Sequence, residues 1–216
     1  MNRVSLVLLL PLALTGADQK TRASTASSLG APSIGFVATG SDKEARFVSG
    51  IIGASGVRGP ASLGDDVARV VVAPGQAGAF IQRGEERALE WAAIRSGTLA
   101  GSQPVGGSLA GAQFVVFSPS GSYAALFSAV ARRIQVIRVV ADTPGVESEY
   151  DAASFPGDVT ALAVSDSGAV LAAVASGGDT SFVASPSPDS GYRVVFSGTT
   201  ISAIRFVPAT EKAVIA

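Results

Sequence analysis

Short apolar runs rich in Val, Ile, Phe and Ala alternate along this chain with clusters of Gly, Pro, Ser and Asp. That punctuation is the pattern of strands and tight turns. The clearest stretch is Phe114–Val140, FVVFSPSGSYAALFSAVARRIQVIRVV. It predicts three antiparallel strands, Phe114–Ser118, Tyr123–Ser128 and Ile134–Val140, with a turn at Pro119-Ser120-Gly121 and a polar break at Arg132-Arg133. Proline presets φ for such a corner and glycine tolerates its tight bend.

The same order recurs on both sides. Upstream lie the strand Val67–Ala73, the turn Pro74–Ala77, the return strand Gly78–Gln82, the turn Gly84-Glu85-Glu86 and the segment Arg87–Ile94. That last segment, RALEWAAI, favours helix by propensity, but its place in the repeat predicts a strand. Downstream, Val159–Ser165, the turn Asp166-Ser167-Gly168, Val170–Ala175, the turn Gly177-Gly178-Asp179, Ser181–Ser185 and Tyr192–Ser197 form a third unit. A fourth opens with Ile201–Val207, turns at Pro208–Glu211 and returns with Lys212–Ile215. Ile34–Leu63 reads as a partial unit: strands Ile34–Ala38 and Ala45–Ile52 around the charged turn Gly40–Glu44, then a Gly-rich exit.

The first residues of the four corners, Pro74, Pro119, Asp166 and Pro208, are 45, 47 and 42 residues apart. Two places before each stands an apolar residue: Val72, Phe117, Val164 and Phe206. A period in the forties with four short strands matches the blade of a β-propeller. Phe117-Ser118-Pro119-Ser120-Gly121-Ser122 and Val164-Ser165-Asp166-Ser167-Gly168 resemble the S-P-D-G corner between the first two strands of WD40-like blades. The resemblance covers about residues 65 to 216 and is to bacterial exported propeller repeats; the Gly-His and Trp-Asp signatures are missing, since the chain has no His and Trp91 precedes Ala92.

The expected fold is therefore all-β, an incomplete or open array of about three to four four-stranded antiparallel blades. The expected division is a partial hairpin unit over 34–64, blades over 65–110, 111–156 and 157–199, and a truncated blade over 200–216. Three outcomes stay open: a piece of a longer propeller, a small ring closed by the N-terminal hairpin, or an open arc whose exposed edge is a route to self-association.

At the N-terminus, Arg3 precedes the apolar run Val4–Leu14, and Thr15-Gly16-Ala17 supplies small residues for cleavage. This is the layout of a secretory signal peptide over 1–17, well short of the roughly 20 residues of a membrane span. It predicts export to the periplasm or the extracellular space and no stable membrane span after cleavage; the alternative is an uncleaved buried segment. Asp18–Ser33, polar and aperiodic, reads as a flexible leader.

Composition narrows the chemistry. There is no Cys and no His, which removes disulfides, thiolate nucleophiles, Cys/His zinc sites, histidine bases and any Ser-His-Asp triad. The absence of Cys leaves the redox compartment open. A formal net charge of −1 provides no electrostatic footprint for nucleic acid. No cofactor, no metal and no catalytic residue is implied.

The candidate ligand-binding residues lie where an axial face is expected. Asp66 and Asp158 precede the innermost strands of their units, as a carboxylate pair at a funnel mouth or as turn caps. Gly111 and Thr200, at the equivalent positions, carry no carboxylate. Arg69 and Arg205 interrupt apolar innermost strands, either lining a channel for an anionic ligand or standing at strand ends with no ligand. Glu85-Glu86 and Glu147–Asp151 lack the D-x-D-x-D-G spacing of a calcium loop and read as solvated loops. Trp91, the only Trp, reads as blade packing or as a sugar-stacking platform. Gly50–Gly59 carries no G-K-[ST] and is no phosphate loop.

Two function classes follow. One is an exported non-catalytic scaffold that binds a protein, peptide or glycan. The other is a propeller-type hydrolase or lactonase with a metal or carboxylate site in the funnel.

Overall fold

The computed structural model describes residues 33–38, 43–51, 54–140, 143–178, 180–187 and 191–216. The expected signal peptide, nearly all of the leader and most of the turn Gly40–Glu44 lie outside them. All regular structure among the described residues is β. Three strands, β1 (Ser33–Ala38), β2 (Ala45–Ile51) and β3 (Ala54–Pro60), make a first antiparallel sheet in that order. The second sheet holds β4 (Val67–Val72), β5 (Gly78–Arg83) and β6 (Leu89–Arg95), with two-residue strands β7 (Thr98–Leu99) and β8 (Gln103–Pro104) both pairing with β6. The third is β9 (Phe114–Phe117), β10 (Tyr123–Ser128), β11 (Arg133–Val140) and β12 (Thr143–Asp151). The fourth is β13 (Asp158–Val164), β14 (Val170–Ala175), β15 (Ser181–Ser187) and β16 (Gly191–Gly198), and β17 (Ile204–Phe206) pairs with β18 (Ala213–Ile215).

The apolar runs are continuous rather than alternating because the middle strands are buried on both faces. In β10, Ala124 and Leu126 pack into one cluster with Phe80, Leu89 and Trp91, while Ala125 and Phe127 pack into another with Leu162, Val164 and Phe182. In β14, Ala172 and Val174 face that second cluster and Ala173 faces a third, with Ile204 and Phe206. A fourth cluster joins Phe36 and Ala45 to Val70 and Ala79. One core therefore lies between each sheet and the next, which is face-to-face stacking of blades in chain order. The segment around Trp91 illustrates the override of propensity: Leu89, Trp91, Ala92 and Ala93 are all buried, so β6 is a strand.

The four corners are built alike. In each, the N–H of Gln76, Gly121, Gly168 or Thr210 donates to the carbonyl three residues back, of Ala73, Ser118, Ser165 or Val207. Val72, Phe117, Val164 and Phe206 form the first rung beyond the corner, opposite Ala79, Ala124, Val170 and Ala213. Neighbouring corners also touch: the Ser120 N–H donates to Asp166 Oδ1 at 2.8 Å. Burial opposes ionisation of Asp166, but hydrogen bonds from the Ser120 hydroxyl and N–H, from Ser118 and from the Ala209 N–H outweigh it and hold the carboxyl below its usual range. A depressed carboxyl stabilises the fold above the unfolded-state pKa and loses that contribution as pH falls through the folded value. Asp166→Ala is therefore expected to lower the unfolding free energy at pH 7 by about 1 kcal/mol, read by urea titration. The gap to the parent should narrow as a titration series descends below the ordinary aspartate pKa.

Two readings of the sequence are corrected. The Gly-rich exit is a strand, β3: all its residues are exposed, so it carries no apolar alternation to read. The acidic run Glu147–Asp151 is no loop but the end of β12, an outermost strand. Its charges suit an edge, where Glu149 pairs with Arg133 and Glu147 stands 3.9 Å from Arg138.

The first sheet is out of step with the others. Within the array, β13 packs against β9 and β10, and β17 against β13 and β14. The strand that β4 meets in the sheet before it is β1. Tyr123, at the start of β10, lies over the corner glycine Gly168 of the next sheet, and Phe36 of β1 lies over the corner residue Gln76. By the second relation β1 holds a second-strand position, β2 and β3 the third and fourth. Among the described residues no strand fills the first position beside β1.

Candidate functional site

Innermost strands β4, β9, β13 and β17 carry or follow the residues singled out from sequence. Arg69 projects from β4, half-buried, and its Nη1 donates to the carbonyl oxygens of Ala112 at 3.2 Å and Gln113 at 2.8 Å, just before β9. Its guanidinium thus stitches two sheets together, and part of its donor capacity is already used. Arg205 lies in β17, exposed, beside a small cleft of about 190 Å³ between Pro74, Phe117, Pro119, Leu162 and Phe206. The two arginines line different clefts.

Asp66 sits immediately before β4 in the left-handed region at φ 63, exposed, and its carbonyl accepts the Gly84 N–H. Asp158 opens β13, exposed, opposite Ala175. The sheet of β9–β12 separates them, so they stand on non-neighbouring sheets. Among the described residues no three acidic side chains gather as a metal-ligand group. The other depressed carboxyl, Glu90, is partly buried, which opposes ionisation, but Ser102 and Arg83 donate to it and prevail. That triad fastens the segment before β8 to β6 and β5.

Trp91 is 4% exposed, 5.0 Å from the Phe80 ring and 6.4 Å from Phe117, both edge to face. It is core, and the sugar-platform alternative falls with its burial.

Two larger clefts open along the innermost strands. One, about 610 Å³, runs between β1, β4 and β9 and is lined by Phe36, Val37, Arg69, Val71, Gln76 and Val115 among others. The second, about 540 Å³, lies at the end where β4 and β9 begin; Lys43, Gln82, Glu85, Glu86, Gly111 and Val130 border it. Val130 is 95% exposed in the turn between β10 and β11.

Gln76 was missed by sequence reasoning as anything but a turn residue. It adopts φ 57, while the residues at its place in the next two corners are Gly121 and Gly168, also at positive φ. Its Oε1 accepts the Phe36 N–H at 2.6 Å and its Nε2 donates to the Phe36 carbonyl at 3.2 Å. The available signal was a glutamine where the next two corners carry glycine.

No known protein family and no curated protein matches the chain in sequence. Solved structures do. The Cps50 (Swd1) beta-propeller domain of Myceliophteria thermophila is similar at a TM-score of 0.53 and 12% identity, over 81% of this chain and 60% of that one. Hydrazine synthase of Kuenenia stuttgartiensis is similar at 0.50 and 18%, over 79% of this chain and 47% of the other. The chain thus spans less than two thirds of either neighbour. At these identities the likeness speaks for architecture alone, and it agrees with the stacked antiparallel sheets: the fold is that of an incomplete β-propeller.

Proposed function

We propose that this chain is an exported, non-catalytic propeller of the WD40-like kind that presents its loop face to a protein, peptide or glycan partner. The observation that carries the reading is the cleft bordered by Lys43, Glu85 and Glu86, with Val130 standing in water beside these charges. Apolar contact area with a polar, charged rim is the composition of a recognition surface. The basic residue, apolar run and small residues of Met1–Ala17 support export.

Two measurements test this. The secreted form should have the mass of a chain beginning at Asp18. Capture on immobilised protein, from extracellular proteins and a glycan panel, should yield a partner whose affinity drops about ten-fold in Lys43→Glu/Val130→Ser, the loss of roughly one good contact. The urea midpoint should be unchanged. Hydrolysis of lactones or glycosides that disappears in Asp66→Asn and Asp158→Asn would instead support the enzymatic alternative.

A further inference from the structure

We propose that the cleft between the corner ends of the innermost strands binds one small amphipathic monocarboxylate, with Arg205 holding its charged head. The inference is independent of the loop cleft, which lies at the opposite end, where β4 and β9 begin.

The repeat itself singles out Arg205. Val71, Val116, Ala163 and Arg205 hold one place in the pattern, three residues before Pro74, Pro119, Asp166 and Pro208. Three of the four are apolar, and the fourth carries a full charge. Arg205 stands on β17 between Ile204 and Phe206; both of these are buried, and Arg205 is exposed. Among the described residues it makes no hydrogen bond and no ion pair. Arg69, the other arginine on an innermost strand, differs: its Nη1 is taken by two carbonyls that tie sheets together. A charge that breaks the repeat and serves no structural contact is the kind of departure that marks a functional position.

What Arg205 borders decides the ligand. The cleft of about 190 Å³ is walled by Phe117, Leu162, Val164 and Phe206 and by the corner residues Pro74 and Pro119. Four successive sheets thus contribute to it, each through the same register of its repeat. The other polar side chain of the lining, Ser118, is fully buried and engaged with the Tyr123 N–H and the Ser120 hydroxyl. No carboxylate lines the cleft, and Asp166 of the adjacent corner is committed to Ser120 and Ala209. One cation on an apolar cleft is complementary to a ligand with one negative charge and an apolar body. A guanidinium pairs with a carboxylate through two parallel N–H···O bonds. Inorganic phosphate offers nothing to the apolar walls, and a neutral apolar molecule offers nothing to Arg205. At about 30 Å³ for each water-sized group, the cleft takes roughly six such groups, which suits a short acid chain and excludes a peptide segment or a nucleotide.

The test titrates the full chain, isotope-labelled for NMR, with hexanoate. Amide signals of Phe117, Leu162 and Phe206 should shift together and saturate, with a Kd on the order of 1 mM, the affinity so few atoms allow. Arg205→Val restores the residue type of Val71 and Val116, so its urea midpoint should match the parent's. It should bind hexanoate about ten-fold more weakly, the loss of one charge-assisted contact. Arg205→Lys keeps the charge without the fork and should fall between the two. Hexan-1-ol and inorganic phosphate, each with half of the chemistry, should bind more weakly than hexanoate. Equal affinity of the parent and Arg205→Val overturns the inference, as do shifts confined to residues away from the cleft. Should Arg205→Val unfold, equal affinity of the parent and Arg205→Lys overturns it in the same way. Phosphate binding as tightly as hexanoate reduces Arg205 to a general anion contact and overturns the choice of ligand. Lys43→Glu/Val130→Ser, which alters the loop cleft alone, should bind hexanoate like the parent; loss of binding there overturns the location.

Discussion

Phe80→Ala is expected to lower the unfolding free energy by about 4 kcal/mol, a large share of the roughly 5–15 kcal/mol that holds a domain together. Phe80 is 1% exposed in β5 and lies at a junction. Its ring stacks on Phe117 of the next sheet at 5.0 Å and 12°, and meets Trp91 of its own sheet edge to face. Truncation removes the transfer free energy of the ring and opens a cavity whose walls are strands tied into two ladders, so collapse is restricted. Trp91 is the sole Trp, and its fluorescence reports on this junction without labelling. A urea titration followed by Trp91 emission should show the midpoint shift together with a red-shifted native signal. Phe80→Leu should recover more than half of the loss. A midpoint within error of the parent for Phe80→Ala would mean that the seam between the second and third sheets contributes little.

The second large effect falls on a glycine. A Cβ at Gly157 would overlap the carbonyl oxygen of Ala175 and come 2.7 Å from its carbonyl carbon and 3.1 Å from Ser176 Cα. Those atoms are backbone, and Ala175 is held on both sides, by Asp158 of β13 and Ser181 of β15. Nothing flexible can move aside, so Gly157→Ala must push β13 and β14 apart. The expected cost is about 3 kcal/mol, at the upper end of overpacking. Gly56→Ala in β3 is the matched control: a Cβ there meets nothing within 4 Å, so its midpoint should be within about 0.5 kcal/mol of the parent. Thermal unfolding of the two variants side by side reads the difference.

Much of the architecture was legible from local chemistry. The corners at Pro74, Pro119, Asp166 and Pro208 carried it, because a tight turn requires particular residue types wherever it occurs. The returning strands β5, β10 and β14 followed, since both of their faces are buried and their apolar runs are unbroken. The outermost strands were harder. β3 and β12 bury little, so Ala54–Pro60 and Thr143–Asp151 have compositions that loops share. Of the four candidate ligand residues, sequence located the strands of Arg69 and Arg205 and put Asp66 and Asp158 just ahead of theirs, where the structure makes Asp158 the first residue of β13. It placed one whole blade between the aspartates, as the structure does, but did not reveal that Arg69 is occupied by two carbonyls.

By itself, then, the sequence determined the repeat: where the chain turns, which segments are extended, and which chemistries the absence of His and Cys removes. These depend on residue type and on neighbours a few positions away. The tertiary structure alone decided that β1 takes a second-strand position, that Trp91 is walled in by Phe80 and Phe117, and that Gln76 reaches forty residues back to Phe36. Each of those depends on how one sheet docks against the next, and docking is set by the joint fit of side chains far apart in the chain, which no local pattern records.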